Sequence, residues 1–398
     1  MQWATSENVR IPIKSWCANV EAEAMEQARN LACHPALRSH VALMPDCHVG
    51  YGMPIGGVVG ARNAVLPSAV GVDIGCGMVA VETDIPVERM MDMRFRREIQ
   101  NVLKSRIPVG DGVAHKSAQE WDGFEAYLDS EHAVPEFVAA IDRRNLGTLG
   151  GGNHFIELQK SDNGFVWMMI HSGSRNLGKR VHDLYYEQAL TLCERYYAPI
   201  RDKQLAFLPL EEEGGQGYLR DMQFALEYAR ENRRRMMAAF KETIAEFVPE
   251  VNFIREVNIH HNYAAKEEHF GEELYIHRKG ATSAKLDEIG IIPGSMGTAS
   301  YIVRGLGNPQ SFQSCSHGAG RRLSRNVASA TLTVNECDAA MEGIVCERWS
   351  KVNHGKHKGT VDLSEAPQAY KDIEDVISSE LDLIEPLVRL TPLAVLKG

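Results

Sequence analysis

Asn145-Leu146-Gly147-Thr148-Leu149-Gly150-Gly151-Gly152-Asn153-His154-Phe155-Ile156-Glu157 passes from a glycine turn into an apolar strand. Val166-Trp167-Met168-Met169-Ile170 then forms a second apolar strand, which ends in His171-Ser172-Gly173-Ser174-Arg175. The glycines suit a phosphate-cradling nest, yet their spacing is neither a Walker loop nor the dinucleotide G-x-G-x-x-G pattern. Along the whole chain strands and glycine turns recur with helices interspersed, without a repeated βαβ rhythm. The expected class is therefore α+β: a single large domain, residues 1–398, of several mixed sheets with flanking helices around a central cleft. Alternation along the strand after His154 predicts that its exposed side carries His154 or Glu157, not both.

Strand exits are where the chemistry gathers. A strand end fixes a polar side chain while leaving it reachable. Val41-Ala42-Leu43-Met44 leads into Pro45-Asp46-Cys47-His48, for which a tight turn capped by Asp46 is the plainer reading. Gly71-Val72-Asp73-Ile74-Gly75-Cys76-Gly77 can aim a carboxylate and a thiolate at one point, and thiolate favours a transition metal over calcium or magnesium. A structural strand and turn with a buried cysteine is the alternative. Val257-Asn258-Ile259-His260-His261 carries histidine again, and Tyr275-Ile276-His277-Arg278-Lys279 puts basic groups at a strand end. Ile291-Ile292-Pro293-Gly294-Ser295 opens a hydroxyl-rich turn. In Ser314-Cys315-Ser316-His317-Gly318-Ala319-Gly320-Arg321 a poorly shielded histidine is a candidate nucleophile, though a glycine turn with an exposed histidine would read the same way.

Any one of these histidines would ordinarily be a satisfied core or surface residue; together they are harder to dismiss. Asp73, Cys76, His154, His171 and His261 supply ligands for two transition-metal ions, with Cys76 as a possible bridge. His317 and the basic Arg175, Lys279, Arg321 and Arg325 complete what phosphoryl or nucleotidyl transfer requires.

The 398 residues are 44% hydrophobic and 24% charged, with no apolar run of membrane-spanning length. The start, Met1-Gln2-Trp3-Ala4-Thr5-Ser6-Glu7, lacks the basic and apolar features of a secretory signal, so a cytoplasmic location is expected. Eight cysteines without a C-x-x-C pair suit a reducing compartment. A net charge of −10 excludes bulk electrostatic coating of nucleic acid but not a local basic cleft. Helices are expected over residues 21–32, 87–105, 135–144, 178–197 and 218–247. The last has Arg233 as its one break, and Arg233-Arg234-Arg235 reads as a solvated face. Pro108 to Ser130 reads as a surface loop or lid, and Lys351, His354, Lys356 and His357 fall in a polar loop.

Taken together, the blocks MPDCHVGYGMPIGG, GVDIGCGM, GTLGGGNHFIE, HSGSR, HHNY, HRKGAT, IIPGSMGTASYIVRGLG, SCSHGAGR, APQAYKD and LKG resemble the RtcB RNA ligases nearly end to end. Residues 108–130 and 335–360 match no block. The resemblance implies a GTP- and manganese-dependent ligase, with two Mn2+ per active site. It would join RNA 3′-phosphate or 2′,3′-cyclic phosphate ends to 5′-hydroxyl ends in RNA repair or tRNA splicing. It further implies that His317 is guanylylated and that Asp73, Cys76, His154, His171 and His261 hold metal. Asn153 would line the metal and phosphate site, with Phe155, Ser295, Ala319, Gly320 and Tyr370 at the nucleotide. Glu157 and Lys397 would read guanine, and His260 is not the metal ligand. Arg175, Lys279, Arg321 and Arg325 would meet RNA phosphate or triphosphate, with Asp46 in the catalytic neighbourhood. No membrane is implied, and an accessory activating or ribosome-associated protein is left open as a partner. A metal-dependent cyclic phosphodiesterase or phosphatase is the main rival, and a non-catalytic RNA-end binding protein the third class. Cys47, a second thiol near the metals, is expected to add sensitivity to oxidation.

Overall fold

The computed structural model describes residues 1–131, 133–347, 349, 351 and 359–398. Two large sheets organise them. The first has six strands in the order β1 (Trp3–Thr5), β2 (Ile13–Ser15), β3 (Leu37–His48), β4 (Ile55–Ala61), β12 (Glu272–Lys279) and β11 (Asn262–His269). The second has seven: β10 (Phe253–His260), β6 (Gly77–Pro86), β8 (Phe165–Ser172), β7 (Phe155–Ser161), β17 (Ile384–Lys397), β15 (Ser300–Gly305) and β14 (Ile289–Ile292). Two small pairs complete the set, β13 (Ala281–Ser283) with β16 (Ser314–Ser316) and β5 (Ala64–Val65) with β9 (Leu208–Pro209). The strands pair antiparallel except β2 with β3, so the class is α+β, as expected.

The edge strands β10 and β14 of the larger sheet meet, so it curls nearly shut. Alternation sorts its side chains. Met78, Ala80, Phe155, Trp167, Met169 and Ile302 fill the inside, while Val79, Val81, Ile156, Leu158 and Ile170 face out. The outer layer is covered by Met236, Phe240 and Ile244 from the helix Glu213–Phe247, each contributing about 2 kcal/mol by burial. Among the described residues, no helix is long and apolar enough to cross a membrane.

Several expectations change for local reasons. The helix expected from residue 87 is a 3-10 turn, Val87–Met90, followed by a helix, Met93–Arg106, because the Asp92 side chain caps the new start by accepting from Arg94 N. That expected over 135–144 stops at Ala139, and Asp142 caps a separate turn, Arg143–Asn145. The stretch 108–130 is not a free lid. It contains a helix, Gly123–Leu128, that buries Phe124 and Tyr127, and the Tyr127 hydroxyl donates to Asp221 Oδ1 at 2.8 Å. Nor is Arg233 on a solvated face. It is wholly buried and donates to the Gly75 and Ser172 carbonyls and to Asn258 Oδ1, which ties the long helix to the strand ends around Cys76. Arg234 and Arg235 pair with Glu231. Lys351 bridges to Val361, whereas His354, Lys356 and His357 lie outside the described residues.

Candidate active site

Sheet register assembles one wall of the site. Lys397 of β17 pairs with Phe155 of β7, Phe155 with His171 of β8, and His171 with Met78 of β6. Antiparallel partners share a face, so Lys397, Phe155 and His171 form one row at the mouth of the curled sheet. The Lys397 ammonium stands 5.6 Å from the centre of the Phe155 ring.

The six-stranded sheet supplies the opposite side. Between Leu43 and His48 the register of β3 against β4 slips, and the extra residues swing Asp46 out of the ladder. The expected Asp46 turn is therefore a bulge in a longer strand. Gly56, at φ 81°, lets the chain pass: a Cβ there would lie 2.7 Å from Asp46 Oδ1. Asp46 is fully buried and grips His317, which follows β16. Its Oδ2 accepts from the His317 main-chain N at 3.1 Å and from the ring Nδ1 at 2.6 Å. With Nδ1 protonated toward a carboxylate, the lone pair of a neutral His317 sits on Nε2. Glu380 holds the preceding residue, accepting from Ser316 N and Oγ.

Between these walls lies a cavity of about 730 Å³. His317 and His171 line it, as do Asn153, Phe155 and Lys397. Ser295, Ala319 and Gly320 contribute from turns, and Arg321, Arg325 and Tyr370 close it.

Behind His171 lies a cluster of metal-ligating atoms. Cys76 Sγ is 3.2 Å from His171 Nε2 and 3.6 Å from His154 Nε2, and His171 Nε2 is 3.4 Å from His261 Nε2. Asp73 Oδ2 is 3.6 Å from His154 Nε2. Cys76, His171 and His261 make one ligand set and Asp73, Cys76 and His154 a second, sharing the thiol. Main-chain carbonyls orient two of the rings: His154 Nδ1 faces Leu149 O and His171 Nδ1 faces Asn153 O, which leaves each Nε2 as a bare lone pair. Burial, then neighbouring rings, holds His171 and His261 neutral by pushing their pKa well below the usual histidine value. Bare nitrogens converging on a thiol with one proton to share fit a cation. His261 also meets His317 edge to face at 4.9 Å, so the cluster and the nucleophile candidate adjoin. His260 turns away to the Gly75 carbonyl and Arg233.

Glu157 lies inside the curled sheet below Phe155 and accepts from Gln159 Nε2 at 2.7 Å. Burial pushes its pKa up to about 8, against the opposing pull of Lys397 and Gln159. The expectation that His154 or Glu157 would be exposed fails on both counts. His154 belongs to the turn before β7, outside the alternation, and Glu157 faces the interior.

Two basic residues are not brought to the cavity. Lys279 is buried, and its ammonium donates to the main-chain carbonyls of Tyr51 and Ser68; burial lowers its pKa to about 7. Arg175 packs its guanidinium against Gly150 and reaches Thr148 Oγ1 at 3.3 Å, so it braces the glycine turn carrying Asn153 and His154. Cys47 does not face the metal ligands. It packs with Leu43, Val59 and Leu66, and burial raises its thiol pKa far above the ordinary value, leaving Cys76 as the thiol at the site.

Two residues escaped sequence reading. His48 lines the cavity with Nδ1 on the Asp46 carbonyl. Glu365 stands at the cavity's edge among Arg321, Arg325, Lys397 and Tyr370. His48 lay in a quoted block and could have been raised with Asp46; nothing in the local pattern marks Glu365.

A family model described as tRNA-splicing ligase RtcB matches residues 27–398. The RNA-splicing ligase RtcB of Escherichia coli K12 is 36% identical over 418 residues, covering 99% of this chain and 98% of its own. The tRNA-splicing ligase RtcB of Methanococcus maripaludis is 31% identical, covering 96% and 92%, and that of Archaeoglobus fulgidus 32%, covering 95% and 92%.

Proposed function

Because the chain belongs to the RtcB family of RNA ligases, we propose that its cavity joins RNA ends through a guanylylated His317, using GTP and manganese. The protein is an RNA ligase of RNA repair or tRNA splicing that joins 3′-phosphate to 5′-hydroxyl ends. The observation that carries the histidine route is the buried Asp46 carboxylate on His317 Nδ1. It leaves the lone pair of the neutral ring on Nε2 and would stabilise positive charge developing on the ring.

In the proposed sequence Nε2 forms a bond to the α-phosphorus of GTP and pyrophosphate leaves. An oxygen of the RNA 3′-phosphate then displaces His317 and takes the GMP. Finally the RNA 5′-oxygen attacks the activated 3′-phosphate, GMP leaves and the strands are joined. Asp73, Cys76, His154, His171 and His261 would hold two manganese ions, which when bound neutralise phosphate charge. Arg321 and Arg325 would face RNA phosphate, and residues 1–398 would act as one catalytic unit. Asn153, Ser295, Ala319 and Gly320 would contact the nucleotide, with Phe155 and Tyr370 beside its base. Glu157 would accept from guanine N1 and N2, and Lys397 would donate to O6.

The direct test presents an oligoribonucleotide ending in 3′-phosphate and another beginning with 5′-hydroxyl, with GTP and Mn2+. Joining dependent on both cofactors is expected. Opened or dephosphorylated ends released unjoined would favour the phosphodiesterase reading instead.

A pH dependence follows from Glu157. Accepting from guanine requires its carboxylate, and with a pKa of about 8 only about one-tenth is ionised at pH 7. The GTP concentration for half-maximal labelling should therefore fall as pH rises from 7 to 8.5, by roughly tenfold at most. In Glu157→Gln that slope should vanish; a slope that persists would assign it to another group.

A further inference from the structure

Glu365 is separated from the turn Pro367–Ala369 by Ala366 alone, and its side chain is 11% exposed. Its Oε1 accepts from Arg325 Nε at 3.0 Å and from Arg321 Nη1 at 3.2 Å. Its Oε2 faces Lys397 Nζ at 3.5 Å and accepts the Tyr370 hydroxyl. Burial would raise the carboxyl pKa, but Lys397 and then Arg325, Tyr370 and Arg321 hold it down at about 2, so it stays ionised.

The partners do not depend on it equally. Arg321 also donates to the carbonyls of Leu323 at 3.0 Å and Ser364 at 2.6 Å, so it keeps its place without the carboxylate. Among the described residues, Lys397 donates to no main-chain carbonyl in this way. Its ammonium is a point charge on a flexible stem, and among the described residues Glu365 is the one carboxylate within ion-pair distance. Tyr370 donates its hydroxyl to the same carboxylate, and Arg321 Nη1 lies 3.3 Å from that hydroxyl. Glu365 thus joins the lysine at the Phe155 wall to the tyrosine across the cavity.

We propose that Glu365 is a positioning residue for base selection: its carboxylate fixes the Lys397 ammonium and the Tyr370 hydroxyl so that the cavity accepts guanine and rejects adenine. The inference rests on the GTP reading above. A fixed ammonium meets a carbonyl oxygen in guanine at the position where adenine offers an amino group, and donor against donor is penalised. An ammonium free to swing away from the base would relax that penalty.

The test is covalent labelling of the full chain with α-labelled GTP or ATP and Mn2+. In Glu365→Gln the KM for GTP should rise about tenfold with labelling kcat nearly unchanged, and the preference for GTP over ATP should fall by a similar factor. Glu365→Asp should recover part of the preference. Lys397→Met should show the same loss, with little added by Glu365→Gln in the double variant. A merely structural role would lower both nucleotides in the same proportion, and that result overturns the proposal. Labelled wild-type protein with unchanged preference in Glu365→Gln also overturns it alone. An unlabelled wild type overturns the guanylylation reading beneath it.

Discussion

His317→Ala is expected to carry no label from α-labelled GTP and to join no RNA, since the variant lacks the Nε2 proposed as nucleophile. The more informative variant is Asp46→Asn. Asp46 Oδ2 accepts from both the main-chain N and the ring Nδ1 of His317. An amide keeps the shape, but its oxygen carries less charge and its NH2 group can present donors to donors. The ring is then free to place its proton on Nε2, where it blocks attack. A buried aspartate holding a catalytic histidine in its working tautomer contributes about 10⁴-fold in kcat in the serine protease triad, so a loss of about 10³- to 10⁴-fold in labelling rate is expected here. Rapid-quench labelling measures the rate, and mass spectrometry of the labelled peptide locates the GMP. Label that survives on His317→Ala would move the nucleophile elsewhere, with His48 the next histidine to examine.

Cys76→Ser should cost the protein both metal ions, whereas His261→Ala and His154→Ala should each weaken one. The reason is the shared thiol: Cys76 belongs to the set with His171 and His261 and to the set with Asp73 and His154. Serine keeps the volume but is not deprotonated as a thiol is by a bound transition metal. A loss of at least about 100-fold in Mn2+ affinity and in joining is expected, since even residues that merely support metal ligands are worth about 10- to 100-fold. Titration with Mn2+ followed by electron paramagnetic resonance counts the ions without recourse to activity. Two ions of unchanged affinity in Cys76→Ser would rule out the bridge. Chelation of the wild-type protein should abolish joining, and Mn2+ should restore it.

Strand exits were readable because a run such as Val166–Ile170 states its own burial, and the residue after it must stand at a sheet end. That reasoning located His171, and similar local patterns raised Cys76 and His261. It failed where a residue's partners lie far along the chain. Arg233 reads as an exposed break in a helix until the strand ends bring three acceptors to it. Lys279 reads as a phosphate ligand until the Tyr51 and Ser68 carbonyls claim its ammonium.

The sequence by itself determined the class and the residue types capable of the chemistry, because burial period and turn chemistry act over a few neighbours. The order of elements was only partly legible, and the C-terminal stretch, read as helical, is largely the strand Ile384–Lys397. Its end-to-end resemblance named the family. The tertiary structure alone decided which of those groups meet. Asp46 reaches His317 across 271 positions through a bulge in β3, and Lys397 reaches Phe155 through the register of β17 on β7. Glu365 meets Lys397 only once β17 has taken its place in the larger sheet. Register and bulge are set by packing between segments distant in the chain, and a pattern read within a window of neighbours carries no term for that distance.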